Sequence, residues 1–335
     1  MRMLPVLVVA GVAAAASAAA PADTGDAAIA ALVAKEMPRV VTWRRDFHQH
    51  PELSNRELRT SGIVAEHLRR LGLEVKTGVA KTGVVAMLEG GRPGPTVALR
   101  ADMDALPVVE KADVPFRSTV TTTYQGDTVG VMHACGHDAH TAILMGVAEI
   151  LAGLRADLPG KVLFIFQPAE EGPPDGEDGG APLMLKDGVF ASGKPDALFG
   201  LHVFSTLPAG VIGYRPGPFM AGSDGFRLVV TGRQTHGARP WAGLDPIVVS
   251  SQIISALQTV VSRQIDLTQN PAIVTVGTIR GGTRGNIIPD TVEMRGTLRT
   301  YDPAQRTDVL ARVERTVTHV AAASGATAKF ELTGR

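Results

Sequence analysis

Four short apolar runs, Gly83 to Leu88, Thr96 to Ala101, Val162 to Phe166 and Ala197 to Leu201, restrict what this chain can fold into more than any other feature. They read as strands, and a helical stretch from about Ala139 to Leu154 lies between the second and the third. Upstream, Ile29, Leu32, Val33 and Met37 recur at helix spacing, and a second helix follows Leu53-Ser54-Asn55. Strands alternating with helices predict an α/β fold, an open mixed sheet flanked by helices. Such sheets collect ligands at the carboxyl ends of their strands. Asp102 and Asp104 follow one strand, Glu170 and Glu171 the next, and His202 ends a third, while Cys135 and His137 open the intervening helix. Topology alone therefore brings these polar groups to one edge.

After Gly213 the character changes. Strands are expected at Ser223 to Gly232, Ile273 to Ile279, Thr291 to Leu298 and Thr327 to Leu332, with helices at Ile247 to Ile265 and Pro303 to Ala323. This β-α-β-β-α-β order predicts a ferredoxin-like α+β unit. No internal repeat is visible. The expected division is a signal segment over 1–20, a first domain over 27–212 and a second over 213–335.

The densest chemistry lies in His133-Ala134-Cys135-Gly136-His137-Asp138-Ala139-His140. A thiol two residues from an imidazole suits zinc or a similar divalent ion, because soft sulfur and borderline nitrogen act together. Cys135 is the only cysteine of 335 residues, so no disulfide within the chain explains it. Alone it reads as a small buried apolar residue; His137 and His140 beside it turn the reading towards metal. Gln167-Pro168-Ala169-Glu170-Glu171-Gly172 places two carboxylates side by side, an arrangement that repels itself unless a cation or shared proton intervenes. One such carboxylate can ligate an ion while its neighbour moves a proton of water. The bland alternative is a solvated acidic turn.

Single histidines carry less. His202, between apolar residues, reads alone as a satisfied core residue, and convergence with Cys135, His137 and Glu171 is what raises it. His236 sits in a Gly- and Pro-bearing loop that presents one imidazole or merely exposes it. Asn286 and Arg299 read as a turn and a surface residue. His48 and His50 have ligand spacing but equally suit a structural role at a helix end.

Lys and Arg together number 33, as do Asp and Glu, which argues against nucleic acid or an anionic membrane as partner. At the start, Met1-Arg2, an apolar run from Leu4 to Ala15 and the small residues Ala16-Ser17-Ala18 match a secretory signal peptide. The mature chain is thus expected to be exported, periplasmic or secreted, without stable membrane anchoring; the alternative is an uncleaved anchor.

Taken together, Phe47-His48-Gln49-His50-Pro51-Glu52-Leu53, Leu99-Arg100-Ala101-Asp102-Met103-Asp104-Ala105-Leu106-Pro107, the His133 to Asp138 and Gln167 to Gly172 segments, and the His236 and Asn286 loops carry a resemblance. From about Val41 onward the chain resembles the metal-dependent amidohydrolases that include hippurate hydrolase, the auxin–amino acid conjugate hydrolases, aminoacylase and carboxypeptidase G. The hippurate and auxin-conjugate branch is the most similar. The resemblance implies two divalent ions per subunit, manganese or zinc, held by Cys135, His137, Glu171 and His202. It implies Glu170 as general base and then acid, and Asp104 as the carboxylate that orients a metal ligand. Asp102 falls where other branches place a metal histidine. The second domain is implied to be a lid and homodimer interface, with His236 reaching a partner's site to stabilise the oxyanion. Asn286 and Arg299 are implied to hold the carboxylate of a small N-acyl amino acid substrate.

The implied reaction is hydrolysis of N-acyl amino acids or small peptides. A metallo-carboxypeptidase or dipeptidase is the alternative within enzymes, and a non-catalytic remnant that binds metal or dimerises is the alternative outside them. The last reading arises because relatives resume the catalytic domain after the lid and draw a final metal histidine from it. In this sequence no histidine follows His319, so that ligand and the closing part of the sheet are expected to be missing.

Overall fold

A computed structural model describes residues 24–334, and the signal segment expected over 1–20 lies outside them. The chain forms two compact units that divide between Thr206 and Leu207.

The first unit begins with helices α1 (Thr24–Gln49) and α2 (Leu58–Arg70). Strands β1 (Glu74–Val79), β2 (Gly83–Glu89) and β3 (Arg92–Asp102) follow, then a hairpin of β4 (Thr121–Tyr124) and β5 (Asp127–Gly130). Helix α3 (His137–Gly153), strand β6 (Pro159–Gln167), helix α4 (Gly180–Lys186) and strand β7 (Ala197–Gly200) complete it. The main sheet has the order β1-β2-β6-β3-β7. β1, β2 and β6 pair antiparallel, whereas β6, β3 and β7 pair parallel, so the sheet is mixed as expected.

Strand β6 shows why the sheet needs helices on both sides. Val162, Phe164 and Phe166 enter a core with Phe47 of α1, Val64 and Leu68 of α2 and Met145 of α3. Leu163 and Ile165 face the other way, towards Val85 and Met184 of α4. With period-two alternation, a strand apolar at every position must be covered on both faces.

Besides the β4–β5 hairpin and α4, which the sequence reading did not contain, two further features depart from it. β1 is an additional edge strand, half polar in sequence and therefore without an apolar signature. On α1, Ile29, Val33 and Met37 are exposed; the core-facing residues come later in the helix, at Val40, Trp43 and Phe47.

The second unit contains β8 (Gly222–Thr231), β9 (Thr235–His236), α5 (Pro246–Gln264), β10 (Ile273–Gly281), β11 (Ile287–Ile288), β12 (Thr291–Thr300), α6 (Pro303–Ala323) and β13 (Thr327–Gly334). Its antiparallel sheet runs β10-β12-β8-β13, the strand order of a ferredoxin-like unit. Helix starts are set locally: the side chain of Asp245 accepts from the N–H of Ile247 and Val248, and that of Asp302 from Ala304 and Gln305. Proline follows each cap at the first helical position, where its missing N–H costs nothing. Ile253, Leu257 and Val260 of α5 and Val309, Val313 and Val317 of α6 then bury against Phe226, Leu228 and Met294 of the sheet.

Candidate metal centre

The carboxyl ends of β3, β6 and β7 and the start of α3 meet in one cluster. Gly136 precedes α3 with φ of 90°, a left-handed turn that lets the chain pass from Cys135 directly into a helix beginning at His137. His137 is fully buried, and among the described residues neither ring nitrogen has a hydrogen-bond partner. Its Nε2 lies 3.7 Å from Asp102 and 3.8 Å from both Glu170 and Glu171, and its Nδ1 lies 3.3 Å from Asp104. Burial alone would lower the pKa of His137, but Asp104, Asp102 and Glu170 outweigh it and raise the value to about 9. Such a site holds positive charge, as a proton or as a metal ion.

Cys135 and His202 supply the other side. Cys135 Sγ lies 3.3 Å from His202 Nε2. The Nδ1–H of His202 donates to the carbonyl of Val203 at 2.7 Å, which leaves the Nε2 lone pair directed at the shared space. Burial, followed by the Glu171 and Glu170 carboxylates, pushes the Cys135 thiol up to about 12. A cation is what would stabilise its thiolate. Donor atoms of Cys135, His137 and His202 all lie within 4.8 Å of one another, as do those of His137, Glu170 and Glu171. The four expected ligands are thus brought together, and the orphaned nitrogens of His137 among carboxylates fit divalent ions.

His140 forms a third group of converging donors with Asp102 and His137, but its nitrogens are otherwise engaged. Its Nδ1 donates to Asp102 at 2.6 Å and its Nε2 accepts the N–H of Val203 at 2.9 Å, so both nitrogens are committed. Asp102 also accepts from Arg100 at 2.7 Å. Burial opposes its charged form, yet His140, His137 and Arg100 hold its pKa below the usual carboxylate range. Asp102 therefore ties the strand end to the helix and to the His202 segment. His48 and His50 are structural: His48 bonds Asp138 at 2.8 Å and Glu110 at 2.9 Å, and His50 bonds the carbonyl of Asp46 at 2.9 Å. His133 is buried with both nitrogens unpaired, and burial lowers its pKa to about 4.

The Glu170-Glu171 pair is half-buried at its side chains and fixed at its backbone. Asp104 accepts the N–H of Glu170 and of Glu171, both at 3.0 Å, and the hydroxyl of Ser54 at 2.7 Å. Burial, with Asp102 adding to it, raises the pKa of Glu170 against the pull of His137 and Arg100. A cavity of about 720 Å³ opens beside Glu171, walled by Leu53, Leu106, Val120, Val131 and Tyr124.

In the second unit the β9–β11 ladder pairs His236 with Ile287, and the N–H of Gly237 donates to the Asn286 carbonyl at 2.8 Å. His236 and Asn286 are therefore neighbours. His236 Nδ1 accepts from the N–H of Ala238 at 3.1 Å, which places the ring proton on the exposed Nε2. Arg299 is not with them. It bonds Ser223 near the far end of β12, roughly 27 Å along the strand from Thr291, which follows the Asn286 loop.

The matching family model is that of peptidase family M20/M25/M40, over residues 98–323. The chain belongs to that family. Among its M20 relatives, thermostable carboxypeptidase 2 of Saccharolobus solfataricus is 45% identical over 293 residues, 87% of this chain and 71% of the relative. N-acetylcysteine deacetylase of Bacillus subtilis is 42% identical over 294 residues, 88% of this chain and 73% of the relative. A crystal structure from Bacillus subtilis, described as a dinuclear metal binding peptidase of the M20 family, superposes with a TM-score of 0.71 and 39% identity. It covers 89% of this chain and 73% of its own.

The sequence reading did not single out Ser54 or Glu57. Glu57 is fully buried and bonds Thr82 and the N–H of Ala169, the latter at 2.9 Å. Burial raises its pKa, and the Thr82 and Ala169 bonds oppose that rise. Its only signal is an acidic residue just ahead of a helix, a common placement at N-termini.

Proposed function

We propose that this M20 chain hydrolyses the amide bond of N-acyl amino acids or small peptides with two divalent ions, manganese or zinc. The observation that carries this reading is the buried His137 ring. Its nitrogens lack hydrogen bonds among the described residues, and Nε2 faces Glu170, Glu171 and Asp102, next to the converging Cys135 and His202 donors.

Cys135, His137, Glu171 and His202 would hold the ions, which would acidify water and polarise the substrate carbonyl. Glu170, with its pKa raised by burial, takes a proton from the attacking water. The water oxygen bonds to the carbonyl carbon, the C–N bond breaks, and Glu170 returns the proton to the leaving nitrogen. A carboxylate and a free amine result. The Nε2–H of His236, offered from a partner subunit, donates to the oxyanion, and Asn286 beside it holds the substrate carboxylate. The second unit serves as lid and homodimer interface. The signal segment directs the chain to the periplasm or outside the cell, and among the described residues no helix is long and apolar enough to cross a membrane.

The test is Glu170→Gln, which keeps shape and removes the proton acceptor. Metal content should stay at the wild-type level while turnover of N-acetyl and N-benzoyl amino acids falls by about 10²–10⁴-fold. A fully active variant would remove Glu170 from the reaction.

A further inference from the structure

The turn that carries Glu170 and Glu171 is held in an unfavourable conformation. Ala169, directly before them, has φ of 48°, a left-handed backbone that a residue with a side chain adopts at a cost. Ala169 is itself buried. Its conformation aims three successive backbone N–H groups inward. The first, of Ala169, donates to Glu57 Oε1 at 2.9 Å. The second and third, of Glu170 and Glu171, donate to the two oxygens of Asp104, each at 3.0 Å. Two buried carboxylates thus hold one three-residue turn. Glu57 is anchored from the far side by the Thr82 hydroxyl and by its own place at the start of α2.

From this geometry we infer that Glu57 is a positioning residue: its carboxyl keeps Ala169 left-handed and so aims Glu171 at the metal site and Glu170 beside it. Glu57 belongs to none of the candidate donor groups among the described residues and acts through the backbone N–H of Ala169. Without that acceptor a buried N–H is left unpaired at a residue already in a disfavoured region. The turn then relaxes towards ordinary backbone, and both glutamate side chains move with it. Neighbouring contacts make the turn hard to hold otherwise. Asn55 donates to Glu177 at 3.0 Å and to the Asp178 carbonyl at 3.1 Å, and Arg56 also bonds Glu177. The stretch Asn55 to Glu57 therefore clasps the β6–α4 connection, with Glu57 at the strained residue.

This inference rests on the metal-site reading above, so its test reads metal binding directly on the full chain. Manganese and zinc affinities are measured by competition with a chelating dye, with near-ultraviolet circular dichroism as the check of folding. Glu57→Met keeps the volume and removes the acceptor; affinity should fall by about tenfold or more, as when the partner that orients a ligand is lost. Glu57→Gln keeps an acceptor oxygen for Ala169 and should stay within about threefold of wild type. A merely space-filling role would give the opposite order, with Met harmless. Thr82→Val frees the carboxyl from its anchor and is the milder variant should Glu57→Met not fold, with a loss of about two- to fivefold. Wild-type affinity in a folded Glu57→Met protein, or equal losses for Met and Gln, would overturn the inference. If Met does not fold, unchanged affinity in Thr82→Val would do so. A wild-type protein that binds neither ion would instead overturn the metal-site reading itself.

Discussion

One oxygen of the buried Asp104 carboxylate lies 3.3 Å from Nδ1 of His137, on the side of the ring opposite the nitrogen that faces Glu170 and Glu171. A carboxylate behind an imidazole fixes its orientation and strengthens it as a ligand. Because Asp104 also accepts the N–H groups of Glu170 and Glu171, it ties His137 of α3 to the turn that follows β6. Its pKa is held below the usual range: burial opposes ionisation, but His137, Ser54 and the Glu171 N–H outweigh it.

Asp104→Ala should therefore weaken metal binding and lower turnover together, each by about 10–100-fold. Asp104→Asn keeps one acceptor oxygen and should lose less. Dye competition and steady-state kinetics on one preparation check this. Loss of turnover with unchanged metal affinity would mean that Asp104 acts on the substrate side instead.

Cys135→Ser exchanges a soft donor for a hard one at 3.3 Å from His202 Nε2. Zinc affinity should fall by more than manganese affinity, because thiolate favours the softer ion while carboxylate and imidazole serve both. The ratio of the two dissociation constants is the measurement. An unchanged ratio would show that the sulfur does not ligate.

How much of this was legible beforehand depends on how local each signal is. Cys135, His137, Glu171 and His202 could be read because their residue types are chemically unusual and each follows a strand end or opens a helix. Glu57 could not, since its partner Ala169 is 112 residues away and only folding creates the contact. His140 was placed with the metal-binding segment, yet Asp102 and Val203 take both its nitrogens, a fact that needs three separate elements in position. The β4–β5 hairpin turns on Gln125 and Gly126, both at positive φ, a pair outside the Asn-Gly and Asp-Gly signals of two-residue turns. The resemblance alone pairs Asn286 with Arg299, and within one chain the length of β12 separates them.

His67 gives a pH dependence of known sign. It is buried edge-on to Trp43, with Nε2 bonded to the Met145 carbonyl at 3.1 Å. Burial lowers its pKa, with Met145 and Glu149 opposing. Folded His67 thus binds a proton less readily than unfolded His67, and its contribution is full above about pH 6.5 and shrinks as pH falls below that. His48 has the opposite sign. Its Asp138 bond raises its pKa against burial, helped by Glu110, so its contribution is full below about pH 6.5 and is lost as pH rises through the folded value. Urea midpoints of His67→Gln and His48→Gln at pH 5.5 and 8 should shift in opposite directions relative to wild type. Parallel shifts would mean that neither ring titrates as its surroundings dictate.

In the second unit, Arg306 forks onto both oxygens of Asp224 at 2.7 Å, joining the start of α6 to β8. Asp224 is 2% exposed, whereas the Arg306 side chain is 22% exposed. The two partners are therefore unequal. Removing Asp224 leaves a cation that can still turn towards water, but removing Arg306 strands a buried carboxylate. Arg306→Ala should cost about 3–5 kcal/mol, and Asp224→Ala distinctly less. Because the hydrogen bonds of the pair stay within the second unit, metal affinity of the folded fraction should not change in either variant. Denaturant midpoints with dye competition on the same samples check both halves, and equal destabilisation by the two variants would show that the interior around Asp224 admits water.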